Sequence, residues 1–342
     1  MLKDLIQKKT PFIDVRSPNE FGQGSIPLSI NIPILNDKER EIVGKAFKSN
    51  GQEKAKKIGH ELVSGKKKQD RVNQWKKFIE NNPKSWLYCA RGGLRSEIAQ
   101  SWLKEIGLNI DRVEGGFKSI RNFCLEVFEH IEKDDKDWII LAGRTGSDKT
   151  GMINQLNNSI DLEGLANHRG SAFGARSTKQ PSPIYFENCL AFEYLYCESK
   201  KLILEDESRT IGRLVIPINF YNKMKKSKIC IVEVPIEERV KNIFNGYVAS
   251  KLKNDKNVQL TKDSFLVNLY KINKRLGASN FYKIKGKIQE AFYKNNKNIH
   301  YEWIEELIVN YYDKMYDYQL GKKIDRCIFK GHRSECLKFL KS

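Results

Sequence analysis

The sequence predicts a two-domain α/β protein whose second domain ends in a helical, basic part. Three observations carry that expectation. Short apolar runs alternate with amphipathic stretches over residues 1–130. An all-charged run then precedes a new strand–loop–helix pattern at Trp138. From about residue 236 onward, Lys interleaves with Tyr and Phe at helical spacing.

In the first domain, Pro11-Phe12-Ile13-Asp14-Val15, Ser29-Ile30-Asn31-Ile32, Trp86-Leu87-Tyr88-Cys89 and Asp111-Arg112-Val113 read as buried parallel strands. Amphipathic segments at 36–48, 52–63, 70–80 and 95–106 supply the helices between them. The run Glu132-Lys133-Asp134-Asp135-Lys136-Asp137 reads as the linker, so the domains are expected at 1–133 and 137–342. Trp138 to Ala142 opens the second domain as a strand, with further strands at 201–205 and 228–234 and helices beyond 236. Lys66-Lys67-Lys68 reads as a solvated loop.

With 342 residues, 40% of them hydrophobic and 30% charged, the chain has enough material for two cores and is not of disordered composition. Its apolar runs are strand-sized, so no membrane partner is expected, and the start Met1-Leu2-Lys3-Asp4-Leu5 has no signal core. The expected location is cytoplasmic. Seven scattered cysteines form no CxxC pair and no zinc-like spacing, which argues against both a disulfide framework and a zinc site. The net charge of +19 suits a polyanionic partner, although a Lys- and Asn-rich habit of the whole sequence accounts for part of it. From Lys322 to Lys341 there are seven Lys or Arg against two acids.

Cys89-Ala90-Arg91-Gly92-Gly93-Leu94-Arg95-Ser96 places a cysteine between a strand and a helix N-terminus. Unpaired N–H groups, the helix dipole, Arg91 and Arg95 all favour thiolate over thiol. Gly92 and Gly93 let the backbone curl into an anion nest, completed by Leu94, Arg95 and Ser96. This loop resembles that of the rhodanese superfamily, together with Ile13-Asp14-Val15-Arg16, Gly24-Ser25-Ile26-Pro27 and Val113-Glu114-Gly115-Gly116-Phe117. In that family the cysteine carries a persulfide. Five residues separate Cys89 from Arg95, one more than in many sulfur-carrying members, so the nest is wide enough for a tetrahedral anion. Phosphate-monoester hydrolysis and chalcogen transfer from a phosphorylated donor both remain open on this spacing.

Gly143-Arg144-Thr145-Gly146-Ser147-Asp148-Lys149-Thr150 follows a strand and precedes a helix, as a P-loop requires, but Asp148 stands where the pattern has glycine. Asp tolerates a left-handed backbone better than most residues. Its carboxylate is expected to face the phosphates, where a like charge at ~4 Å costs about 4 kcal/mol at an effective dielectric near 20. Lys201 to Glu207, an apolar strand ending in acids, reads as the metal-binding partner of the loop.

Taken together, the chain resembles the tRNA 2-selenouridine synthases. The matching blocks are the cysteine loop, Asp161 to Gly174 with its His168-Arg169-Gly170-Ser171-Ala172-Phe173-Gly174, Gln180-Pro181-Ser182, Phe186-Glu187-Asn188, Glu205 to Arg209, and Tyr316-Asp317-Tyr318-Gln319-Leu320. The resemblance implies a rhodanese-like domain followed by a P-loop NTPase-like domain. It implies S-geranylation of the wobble 2-thiouridine of tRNA(Lys), tRNA(Glu) and tRNA(Gln) by geranyl diphosphate, then exchange of the geranylthio group for selenium from selenophosphate. Cys89 would carry the selenium and Arg91 to Ser96 would hold the donor's phosphate. Gly143, Arg144, Thr145, Gly146, Ser147, Lys149 and Thr150 would hold the diphosphate, with Mg at Asp206 as an option and no tightly bound cofactor. His168, Arg169 and Glu207 are supporting candidates, and Arg209 either pairs with the neighbouring acids or reaches a phosphate. The rival readings are a sulfurtransferase fused to a P-loop ATPase, a cysteine phosphatase, and a non-catalytic tRNA-binding module.

Overall fold

A computed structural model describes residues 1–176, 178–254 and 258–342. Its contacts divide the chain into two units, residues 1–130 with 182–196, and residues 131–181 with 197–342. Among the described residues no helix is long and apolar enough to cross a membrane.

The first unit is built on a parallel sheet of β1 (Phe12–Asp14), β2 (Ser29–Asn31), β3 (Trp86–Tyr88) and β4 (Asp111–Arg112), in the order β2-β1-β3-β4. Ile13, Val15 and Leu87 are fully buried, as strands covered on both faces demand. Trp75, Ala99 and Leu103 close one side of the core. Helix starts are set by local chemistry. Ser17 and Glu20 form a capping box with Pro18 at the first helical position, and Asn36 with Glu39 forms another. The helix Asp37–Leu62 is broken at Gly51, whose φ is +79°. Lys66 to Lys68, expected as a loop, lie in the first turn of the helix Gly65–Asn81. There Lys68 pairs with Glu105 at 2.6 Å and Lys67 with Glu39 at 3.7 Å. The helix Pro183–Tyr196 belongs to this unit: Asn188 Nδ2 donates to Ser25 O at 2.8 Å, and Arg121 Nη1 donates to Asn188 Oδ1 at 3.0 Å.

The second unit carries β5 (Asp137–Gly143), β6 (Ser159–Ile160), β7 (Lys201–Glu205), β8 (Thr210–Ile211), β9 (Leu214–Val215), β10 (Lys228–Val232) and β11 (Cys327–Gly331). Five of them form a parallel sheet in the order β11-β10-β5-β7-β6, and β8 with β9 makes a small antiparallel hairpin. The expected strands at 138–142 and 201–205 are present, the one expected at 228–234 ends at Val232, and β5 is the middle of the sheet. The expectation of helices throughout from 236 onward needs correction at Cys327–Gly331. This run pairs in parallel with β10, where its alternating exposure suits an edge strand. The helices between pack around Phe265, Ile284, Ile288, Trp303 and Ile304.

Arg239, in the helix Ile236–Ile243, has a side chain only 3% exposed, and its Nη1 donates to Asp313 Oδ2 at 3.0 Å. Removing one member of a buried pair strands the other. Asp313→Ala should therefore destabilise this unit by about 3 kcal/mol in urea denaturation, and a loss below about 1 kcal/mol would show that the charge is hydrated.

Candidate active site: two anion loops

Cys89 follows β3 directly and is 3% exposed. Its Sγ lies 3.2 Å from Ser96 Oγ and 3.6 Å from Gly93 O, and Ser96 Oγ donates to Gly93 O at 2.9 Å. The loop runs into the helix Leu94–Glu105, whose first N–H groups have no partner within the helix. Its shape depends on a contact between backbones. Gly92 has φ +66°, and a Cβ there would stand 2.7 Å from Gly115 N. A Cβ on Gly116, φ +58°, would stand 2.3 Å from Cys89 O. This closeness lets Phe117 N–H donate to Cys89 O at 2.8 Å and Lys118 N–H to Ala90 O at 3.0 Å.

The two arginines of the loop differ. Arg91 is exposed. Arg95 Nη2 donates to Glu20 Oε1 at 2.9 Å. Burial works to raise the Glu20 carboxyl, but the hydrogen bond and charge of Arg95 outweigh it and hold it down to about 2. Arg95 thus reaches the loop as half of an ion pair. Arg112, which sequence reasoning did not single out, donates to Gly92 O at 3.2 Å.

In the second unit, Gly143 to Thr150 joins β5 to the short helix Lys149–Ile153. Ser147 Oγ donates to Arg144 O at 2.5 Å, and Lys149 Nζ donates back to Gly143 O at 2.9 Å. Gly146 has φ +89°, and Arg239 Nε donates to Thr145 O at 2.9 Å, fastening the turn. Arg144 pairs with Asp317 at 2.8 Å, which gives the Tyr316–Leu320 block a structural role. Asp148 adopts φ +57°, ψ +41°, the left-handed turn expected of it. Its carboxylate lies over Gly151 and pairs with Arg333 from the final helix.

The acids divide by strand alternation. Glu205, 1% exposed, accepts from Thr150 Oγ1 at 2.8 Å, and Glu163 Oε2 lies 3.2 Å from the same hydroxyl. Burial, then the charges of Glu163 and Asp161, push the Glu205 carboxyl up to about 8. Burial raises Glu163 and lifts Glu207 well above the usual range, with their mutual repulsion adding to Glu207. Asp206 is held by Lys323 and does not share Thr150. Arg209 is exposed. Gly170, φ +58°, leaves room for these acids: a Cβ on it would stand 2.6 Å from Glu207 Oε2.

His168 N–H donates to Glu163 O at 3.0 Å, while burial and then Arg176 and Lys271 keep its imidazole below the usual range. Arg169 donates to Gly246 O and lies 4.8 Å over the Tyr247 ring. The rest of that block shapes an apolar cleft bordered by Thr145 of the loop, with Ser171, Phe173, Tyr247, Trp303 and Tyr312. The structure therefore gathers Thr145, Lys149, Thr150, Glu207 and the His168–Phe173 block in one unit and Cys89 to Ser96 in the other. Glu163, Glu205, Arg239 and Arg333 were not singled out from sequence. The first two were visible only as members of quoted blocks.

Residues 136–342 match the family described as tRNA 2-selenouridine synthase AAA domain, and residues 1–123 match the rhodanese-like domain. The tRNA 2-selenouridine synthase of Shewanella denitrificans is 42% identical over 341 residues, spanning 96% of this chain and 93% of its own. Those of Sulfurovum sp. and Pseudomonas fluorescens are 39% and 38% identical, each spanning 99% of this chain and 96% of its own.

Arg333 neutralises the one acid in the P-loop, so Arg333→Ala should weaken binding of inorganic diphosphate by about tenfold, set by a like charge in a partly solvated site. The double variant with Asp148→Gly should recover that loss. Titration calorimetry on the three proteins decides it: an unchanged affinity in Arg333→Ala means that Asp148 does not sense the anion.

Proposed function

The chain belongs to the tRNA 2-selenouridine synthase family, and we propose that it converts the wobble 2-thiouridine of tRNA(Lys), tRNA(Glu) and tRNA(Gln) to 2-selenouridine in two steps. In the first, the base's sulfur attacks the prenyl carbon of geranyl diphosphate. A C–S bond forms, the C–O bond breaks and diphosphate departs. In the second, the selenium of selenophosphate, held in the Cys89 loop, attacks C2: a C–Se bond forms, the C–S bond breaks and geranylthiol departs, and water then cleaves the Se–P bond to release phosphate.

The observation that carries this reading is a pair of glycine-shaped anion loops in one chain, the loop from Gly143 to Thr150 with Gly146 at φ +89° and the cysteine loop with Gly92 at φ +66°. Lys149, the Thr150 hydroxyl and the loop's amides serve the departing diphosphate, since dense N–H dipoles favour charge that develops on oxygen. The Cys89 loop meets the needs of the second donor: a curled backbone shaped by Gly92 and Gly116 around a buried thiol.

Magnesium suits the first donor. Among the described residues no three His, Cys, Asp or Glu converge as a protein-only cage. Mg²⁺ commonly uses one or two carboxylates and completes its shell with substrate oxygens and water. Thr150 beside Glu205 and Glu163, with carboxyls raised by burial and mutual repulsion, fits such a shared ion. When bound it would supply positive charge to the diphosphate. The +19 charge supports tRNA as the polyanion, read mainly through its backbone.

Cys89→Ser should abolish 2-selenouridine while S-geranyl-2-thiouridine continues to form, because only the second step uses the Cys89 loop. Nucleoside mass spectrometry of tRNA treated with both donors tests this. Loss of both products in a folded variant would refute the division of labour.

Glu205 also makes stability depend on pH. Its folded value, about 8, lies above the ordinary carboxyl value, so the native state holds an extra proton between them. That stabilisation is full at low pH and is lost as pH rises through about 8. Thermal melts of Glu205→Gln should show a shallower decline than wild type between about pH 5 and pH 8. Magnesium should raise the wild-type melting temperature more at the upper end of that window, and an equal rise in Glu205→Gln would remove Glu205 from the ion's site.

A further inference from the structure

In the first unit, the segments that follow β1, β2 and β3 border a cavity of about 850 Å³. Small-molecule sites occupy roughly 300–1,000 Å³ and favour the carboxyl ends of parallel strands. Its floor is hydrocarbon, from Leu35, Val63, Ile98 and Trp102. Its walls come from the helix Asp37–Leu62, which the break at Gly51 divides so that Val43 on one arm and Ala55 on the other both line the space. Leu94 and Arg95 line it too, so the cavity borders the start of the helix that the Cys89 loop feeds.

The rim has the opposite character. Lys38, Lys48 and Lys56 are exposed there beside Asp37 and Glu41, Lys45 pairs with Glu41 at 2.6 Å, and among them Phe47 stands 53% exposed at the lip. A free phosphate or selenophosphate has no use for an apolar floor of this size. The combination fits a ligand that is hydrocarbon at its tip and polyanionic around it.

We infer that this cavity seats the geranyl group of the S-geranylated tRNA base when the base is presented to Cys89, with the rim lysines taking adjacent phosphates. The inference rests on the two-step reading for its ligand, but the cavity, its chemistry and its place beside Leu94 and Arg95 stand without it. It makes the first unit selective for the alkylated base over the unmodified one, so the two steps run in a fixed order. Val43 and Phe47 become specificity-determining residues.

The full-length protein can be tested with two nucleosides, S-geranyl-2-thiouridine and S-methyl-2-thiouridine, by equilibrium dialysis. Wild type should prefer the geranyl nucleoside by at least tenfold, an order of magnitude set by transfer of its hydrocarbon from water. Val43→Trp, which projects a large ring into the cavity from its wall, should erase most of that preference. Phe47→Asp changes an exposed side chain with little risk to the fold, and should reduce the preference about threefold or more, as loss of part of one apolar contact implies. A wild type that binds both nucleosides equally, or a preference that survives both substitutions, overturns the assignment. Failure of the underlying reading looks different: pre-formed S-geranyl tRNA would then yield no 2-selenouridine with selenophosphate, whatever the nucleosides do.

Discussion

The first unit's chemistry depends on two stretches of backbone meeting with no side chain between them. Gly92 sits against Gly115 and Gly116, close enough that a single methyl group on Gly116 would overlap the carbonyl of Cys89. Because that gap is closed, the amides of Phe117 and Lys118 reach the carbonyls of Cys89 and Ala90, and the start of one helix fixes the loop that feeds another. The thiol's position between Ser96 and Gly93 follows from this geometry. Glycine is needed at these points for its φ as well as its size, since Gly92, Gly115 and Gly116 all have positive φ.

Charge is managed differently in the second unit, where the acids are buried before any ligand arrives. Glu205, Glu163 and Glu207 share a small volume with Lys149 and Thr150, and the cost of ionising all three shows in their raised carboxyls. A cluster of this kind favours an incoming cation or a retained proton. Asp148 stands outside it. Arg333 answers its charge, so a residue that looks unsuited to a phosphate loop keeps the left-handed turn without leaving an uncompensated carboxylate.

Much of this was readable from local sequence. The buried strands, the cysteine loop and the loop at Gly143 depend on neighbours within a few residues, and Asp148 could be assigned its backbone conformation from its chemistry alone. What escaped depends on distant partners. Nothing near Asp148 announces Arg333, 185 positions away. The choice of Glu205 over Asp206 at Thr150 turns on which face of a fully buried strand end points to the loop, and no polar alternation marks it. Cys327–Gly331 sits between helical stretches, and its strand state comes from an open sheet edge at β10. The helix Pro183–Tyr196 is buried nearly all round, through Phe186, Leu190, Ala191, Phe192 and Tyr194, so its pattern does not disclose which core it joins.

That helix has a consequence for the order in which the protein can be made. It belongs to the first unit, yet residues 131–181 of the second unit are synthesised before it. On a ribosome the early sheet emerges complete while Ser25 and Arg121 still lack Asn188, their partner on the helix. The nascent first unit therefore waits, its apolar flank uncovered, until residue 196 has left the exit tunnel. By then β5 and the phosphate loop are already outside. Maturation of the two units overlaps in time, and a ribosome that stalls between residues 130 and 182 leaves an exposed flank for chaperones to shield.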